Sequence, residues 1–258
     1  MLANQVKRCC HQSNQPVLVF LHGLLGSGAD WQSVVSKLEH DWMTIDLPFH
    51  GESRAVECDG FDSCVALVVE TLAATLQENT PIILVGYSLG ARVAMMAAAT
   101  GALKDLNIQG LILEGGNFGL SSAAERESRW ANDQQWADRF ANESIEQVLA
   151  DWYLQPVFSS LNHEQRQTLI AARSDNLGGQ IAKMLRATSL AKQPYLLFDL
   201  KSLILPMHYV CGEHDTKFRA LAQQSGLVFS QVASAGHNVH KEQPKAFAQI
   251  IEDFILQH

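Results

Sequence analysis

The chain lacks any apolar run near the roughly 20 residues of a membrane helix. Its first such run, Val17–Leu21, is too short for a signal-peptide core. A cytoplasmic protein without a membrane span is expected. Cysteine is sparse and unpatterned: Cys9, Cys10, Cys58, Cys64 and Cys211 form neither a disulfide framework nor the pair-of-pairs spacing of a zinc site. Positive charge is in short supply, with 19 Lys and Arg against 27 Asp and Glu and a net charge of −8. That balance argues against a nucleic-acid partner, which needs a basic surface. It leaves room for an anionic small molecule held by a few local arginines. Internal repeats, low-complexity tracts and linkers are absent too. What remains, 47% hydrophobic and 18% charged residues, is the composition of a folded globular protein.

Short β-rich runs punctuate the first half at Val17–Leu21, Met43–Leu47, Ile82–Tyr87 and Ile108–Leu113. Helix-like stretches such as Ala66–Leu76 and Arg92–Ala99 lie between them. The alternation predicts a mostly parallel sheet flanked by helices. It resumes with strands at Met207–Cys211 and Val228–Val232 and a terminal helix at Pro244–Leu256. Residues 117–201, rich in Ala, Glu, Gln, Arg and Trp, contain no convincing strand. They are expected to form a helical cap inserted into a core of residues 1–116 and 202–258, over the strand ends where open α/β sheets bind ligands.

Gly86-Tyr87-Ser88-Leu89-Gly90 is a G-x-S-x-G motif between a strand and a helix, the context in which a turn presents a reactive serine. Such a serine needs a histidine to take its proton, and the histidine needs a carboxylate to orient it. Asp215 follows the Met207–Cys211 strand and His237 follows Val228–Val232, so both fall at the same sheet edge as Ser88. Glu213, two residues from Asp215, is the competing acid; Gly-x-x-Asp favours Asp215 by leaving space for a turn. An oxyanion site also needs two backbone N–H donors. Leu89, after the serine, is one candidate; Leu24, in the His22-Gly23-Leu24 turn, is the other.

The order Ser, Asp, His and the strand–turn–helix motif resemble the α/β-hydrolase family. The similarity extends to one branch, the 2-succinyl-6-hydroxy-2,4-cyclohexadiene-1-carboxylate synthases of menaquinone biosynthesis. It is carried by Val85–Met96, Glu114-Gly115-Gly116, Asp151–Phe158 in the cap and Cys211–Arg219. Two departures stand out. Ala91 replaces a glycine common after the serine, which a negative φ would accommodate. Phe49, in Asp46–Gly51, stands where the fold commonly has glycine, so the backbone of that loop is open.

The resemblance implies a small-molecule tricarboxylate substrate and a reaction of proton abstraction followed by pyruvate elimination, with no metal or organic cofactor. It also implies arginines that grip carboxylates through their planar forks: Arg92 on the serine's helix and Arg129 and Arg173 in the cap. Arg126 can be read either as a further ligand or as solvated surface. Tyr87, Trp152 and Tyr153 are open to two readings, pocket wall or packed core. A carboxylesterase or carbon–carbon bond hydrolase would use the same triad through an acyl-serine, and a catalytically silent binding protein on this fold would show a broken one.

Overall fold

Val17–Leu21 shows why the sheet forms. Val17, Val19 and Leu21 enter one apolar cluster, while Leu18 and Phe20 enter another on the opposite face. A strand buried on both faces reads as a continuous apolar run and needs helices on both sides. The computed structural model, described for residues 1–8 and 15–258, supplies them. Cys9 and Cys10 lie outside the described residues.

In chain order the core begins with strands β1 (Asn4–Lys7) and β2 (Val17–Leu21) and the short helix α1 (Gln32–Val35). It continues through β3 (Trp42–Ile45), α2 (Phe61–Thr75), β4 (Ile82–Tyr87), α3 (Leu89–Ala99) and β5 (Ile108–Glu114). Five helices follow without a strand: α4 (Ala123–Asn142), α5 (Ile145–Trp152), α6 (His163–Arg173), α7 (Gly178–Ala187) and α8 (Leu197–Ser202). The chain then returns to the sheet with β6 (Met207–Gly212), α9 (Thr216–Ser225), β7 (Val228–Val232), α10 (Val239–Glu242) and α11 (Pro244–Gln257). The seven strands lie in the order β1-β3-β2-β4-β5-β6-β7. All pairings are parallel except β1 with β3. β1 escapes the sequence reading because Asn4-Gln5-Val6-Lys7 is polar and mostly exposed, an edge strand with no apolar signal.

The helices between β5 and β6 have an apolar centre of their own, built from Ala137, Phe140, Val148, Leu149, Tyr153, Phe158, Leu161 and Ile181. Leu25, from the loop after β2, is buried in the same cluster at 1% exposure and takes φ 69. Burying such a side chain contributes about 1.5–3 kcal/mol. One leucine thus fastens the loop beside the expected nucleophile to the helical layer. Helix α4 starts at a capping box, with the Ser122 side chain accepting from Glu125 N and the Glu125 carboxylate accepting from Ser122 N.

The loop containing Phe49 bends as a glycine would. Phe49 adopts φ 67, a strained value for a bulky residue, with its ring 2% exposed in the core. Ring burial offsets the strain. Asp46 pins the loop by accepting from Gly28 N and Glu52 N. Ala91 lies within helix α3, fully buried, where a methyl group is compatible with the backbone.

Candidate active site

Ser88 sits where β4 turns into α3, at φ 50 and ψ −104. Holding a non-glycine residue there costs about 1–3 kcal/mol, and the surroundings enforce it. Ser88 N donates to Glu114 O at 2.8 Å. A Cβ on Gly86 would stand 2.6 Å from the Ala91 Cα, and one on Gly90 would run into the Leu21 carbonyl. The two motif glycines let the chain pass close enough to make the turn.

The loops after β6 and β7 deliver the other two residues. His237 Nδ1 lies 2.7 Å from Asp215 Oδ2, and His237 Nε2 lies 3.5 Å from Ser88 Oγ. Both side chains are almost fully buried. The Asp215 carboxylate also caps α9 by accepting from Phe218 N, which fixes its direction. Glu213 is turned elsewhere and accepts from Ser234 N at 2.9 Å, bracing the loop that leads to His237. Gly115, at φ 58, gives the imidazole its space: a Cβ there would stand 2.7 Å from His237 Cε1. Phe218 and Tyr87 pack on the ring at centroid distances of 4.6 and 5.3 Å.

Opposite the serine, the Leu24 and Leu89 backbone N–H groups have no acceptor among the described residues. A Cβ on Gly23 would stand 2.6 Å from Tyr87 and 3.5 Å from Ser88 Cβ, so this turn lies directly against the nucleophile. Two buried histidines hold it. Leu47 N donates to His22 Nε2, so the His22 proton sits on Nδ1 and goes to Gly23 O at 2.7 Å. Leu25 N donates to His50 Nε2, and His50 Nδ1 donates to Pro48 O. Burial lowers His22 to about 4, and burial together with the His22 charge lowers His50 to about 3. Both are neutral bridges between the turn and the Asp46–Gly51 loop. The sequence displays both residues, but their pairing depends on how two distant loops meet.

A cavity of about 690 Å³ opens on Ser88, His237 and Asp215, with Arg129, Trp152 and Lys217 in its wall. That volume suits a small-molecule ligand. Arg129 Nε donates to the buried Asp133 at 2.7 Å. Trp152 also borders a narrower cavity, about 30 Å³, lined by Leu24, Tyr87, Tyr153 and Arg173. Arg173 is paired with Asp30 at 2.6 Å, and Lys241 shares that carboxylate at 2.9 Å. The Arg173 Nε is buried with no hydrogen-bond partner among the described residues. Asp30 is the partner that sequence reading missed, since nothing local marks it as the counter-ion of a residue in α6. Tyr87 donates its hydroxyl to Asn238 Oδ1.

The structure does not place Arg92 in either cavity wall. Its guanidinium donates to Gln193 Oε1 at 2.6 Å and to Thr188 O at 2.7 Å, and lies over the Phe61 ring. Burial, then the Arg129 charge, lowers its pKa, although a guanidinium stays charged at neutral pH. It ties α3 to the segment after α7. Arg126 donates to Leu120 O and borders neither cavity. Among the described residues no cluster of His, Cys, Asp or Glu could hold a metal ion, and no helix is long and apolar enough to cross a membrane.

Residues 18–250 match the family described as the alpha/beta hydrolase family. The chain is 46% identical over 247 residues to the 2-succinyl-6-hydroxy-2,4-cyclohexadiene-1-carboxylate synthase of Serratia proteamaculans, covering 95% of each chain. Against the synthase of the same name from Yersinia enterocolitica it is 46% identical, covering 95% of this chain and 89% of the relative. The solved structure titled MenH from S. aureus superposes with a TM-score of 0.90 at 29% identity, over 100% of this chain and 99% of that one. The chain therefore belongs to the α/β-hydrolase family and, within it, to the 2-succinyl-6-hydroxy-2,4-cyclohexadiene-1-carboxylate synthases.

Proposed function

We propose that this chain is a lyase that eliminates pyruvate from 2-succinyl-5-enolpyruvyl-6-hydroxy-3-cyclohexene-1-carboxylate to give 2-succinyl-6-hydroxy-2,4-cyclohexadiene-1-carboxylate. The observation that carries the reading is a Ser88–His237–Asp215 array at the floor of a cavity with Arg129 in its wall, in a chain whose relatives bear that name. His237, oriented by Asp215, takes the Ser88 proton, and Ser88 Oγ removes the proton α to the succinyl ketone. The electron pair moves onto the ketone oxygen, where the Leu24 and Leu89 N–H groups stabilise it. Its return expels the enolpyruvyl oxygen; the proton held on His237 goes to the departing pyruvate, and no water is consumed.

Arg129 grips a carboxylate directly. Arg173, whose Nε has no partner among the described residues and lies beside the narrow cavity, receives another, while Tyr87, Trp152 and Tyr153 shape the wall between the two spaces. Arg92 acts in this scheme through the field and by holding the cap segment. Residues 117–201 serve as the cap, and the cytoplasmic setting expected from the sequence belongs to the same proposal. Mass spectrometry of enzyme quenched during turnover separates elimination from hydrolysis. Unmodified Ser88 is expected; a kinetically competent acyl-serine would move the chain to the hydrolase reading.

A further inference from the structure

The cations around the Ser88 cavity are unequally matched. Arg129 is answered by Asp133, which also accepts from Ser189 Oγ. Lys217, in the same wall, has no ion pair among the described residues; its ammonium rests 5.5 Å from the centre of the Phe218 ring. Its place in the chain is unfavourable for helix stability. Asp215 is the N-cap of α9, so Lys217 lies in the first turn, where the helix dipole disfavours a cation, and that turn contains no acidic residue. Burial against the cavity wall, then the charges of Arg129 and Arg92, lower its pKa against the pull of Asp215. The nearby carboxylates are committed, Asp133 to Arg129 and Asp215 to His237. Counting Arg92, three cations (Lys217, Arg129 and Arg92) stand against two carboxylates (Asp215 and Asp133) at this end of the site, an excess of positive charge in a protein whose net charge is −8. A local positive field of that kind favours an anion entering the cavity.

We infer that Lys217 is a carboxylate-binding residue of this site, its ammonium receiving one carboxylate of the tricarboxylate substrate at the cavity wall beside Arg129. The inference rests on the lyase reading for the identity of the substrate. The flexible, point-like ammonium suits capture of a carboxylate over a range of approach angles, where Arg129 offers one planar fork. Lys217 is a specificity determinant; it takes no part in proton transfer.

The test compares kcat and KM on the trianionic substrate for wild type, Lys217→Met, Lys217→Arg and Lys217→Glu. Losing one charge-assisted contact at an exposed position should raise KM roughly tenfold in Lys217→Met. The change in kcat should be much smaller, Lys217→Arg should restore most of the affinity, and Lys217→Glu should be worse than Met. Calorimetric titration with propane-1,2,3-tricarboxylate gives a readout independent of the reaction and should show weaker binding in Lys217→Met. Wild type that releases pyruvate beside a Lys217→Met with unchanged KM, or with a loss confined to kcat, overturns the inference alone. Wild type that releases no pyruvate, yet binds the tricarboxylate in a Lys217-dependent way, overturns the reaction and leaves Lys217 standing. Tricarboxylate binding that ignores Lys217, or is absent from wild type, also counts against the inference.

Discussion

Acid should loosen this protein through two histidines that touch neither Ser88 nor Asp215. His22 and His50 are fully buried and neutral, with folded values of about 4 and 3 against an ordinary 6.5. A histidine whose folded pKa is depressed contributes full stability above its unfolded value and loses it as pH falls toward the folded one. The window therefore runs from about pH 6.5 down to about pH 4 for His22 and about pH 3 for His50. At pH 5 the unfolded chain has bound a proton at each position and the native chain has not. The loss is about 2 kcal/mol per histidine relative to pH 7, or about 4 kcal/mol for the pair, at 1.36 kcal/mol per pH unit. That is a large share of the 5–15 kcal/mol typical of a folded domain. His208, lowered by burial, acts in the same direction, and Glu242, raised by burial, acts against it. The Asp30 carboxylate, held below its usual range against the cost of its burial by Arg173 and then Lys241, matters only at lower pH. Urea unfolding of wild type and His50→Gln at pH 7 and 5 isolates the effect. Glutamine can still accept from Leu25 N but does not titrate, so the variant should lose about 2 kcal/mol less between the two pH values. Equal losses in the two proteins would refute the assignment of His50 as a buried neutral bridge.

Ser88→Ala and His237→Ala should each lower kcat by orders of magnitude while leaving the urea midpoint near wild type; an active folded variant of either would remove the proposed base. Asp215→Asn should be severe and Glu213→Gln mild in kcat, because only Asp215 reaches the imidazole; the reverse pattern would mean the wrong acid. Arg129→Ala should cost roughly 2–4 kcal/mol in kcat/KM on the trianionic substrate and little on a neutral ester. Arg173→Ala should lower stability as well as kcat/KM, since it strips Asp30 of a buried partner; a purely kinetic effect would contradict the ion pair seen here. Gly115→Ala should lower kcat sharply by displacing His237, and unchanged turnover would show that the ring has room to yield.

Legibility in the sequence followed the range of the physical signal. Two-sided burial made β2 and β4 readable to the residue, and the glycines of Gly86–Gly90 marked Ser88 because the turn itself requires them. The sequence showed a mostly parallel sheet but not its strand order, and β1 not at all, since an exposed polar edge strand has no periodic pattern to betray it. Asp215 and His237 were reachable because sheet topology places loops after β6 and β7 at one edge. Arg92 depends on contacts that its local sequence does not display. The resemblance names it as a carboxylate ligand on the serine's helix, while the partners that occupy it here, Thr188 and Gln193, come from the segment after α7. The same holds for the Arg173–Asp30 pair and for the histidine bridges, all set by contacts between segments far apart in the chain.

The most direct measurement mixes purified protein with 2-succinyl-5-enolpyruvyl-6-hydroxy-3-cyclohexene-1-carboxylate in the absence of added metal or cofactor and follows pyruvate and the conjugated diene together. Both products should form at one rate and in equal amounts, and that rate should collapse in Ser88→Ala. Pyruvate release no faster than in buffer, or an equal rate in Ser88→Ala, would contradict the proposed elimination.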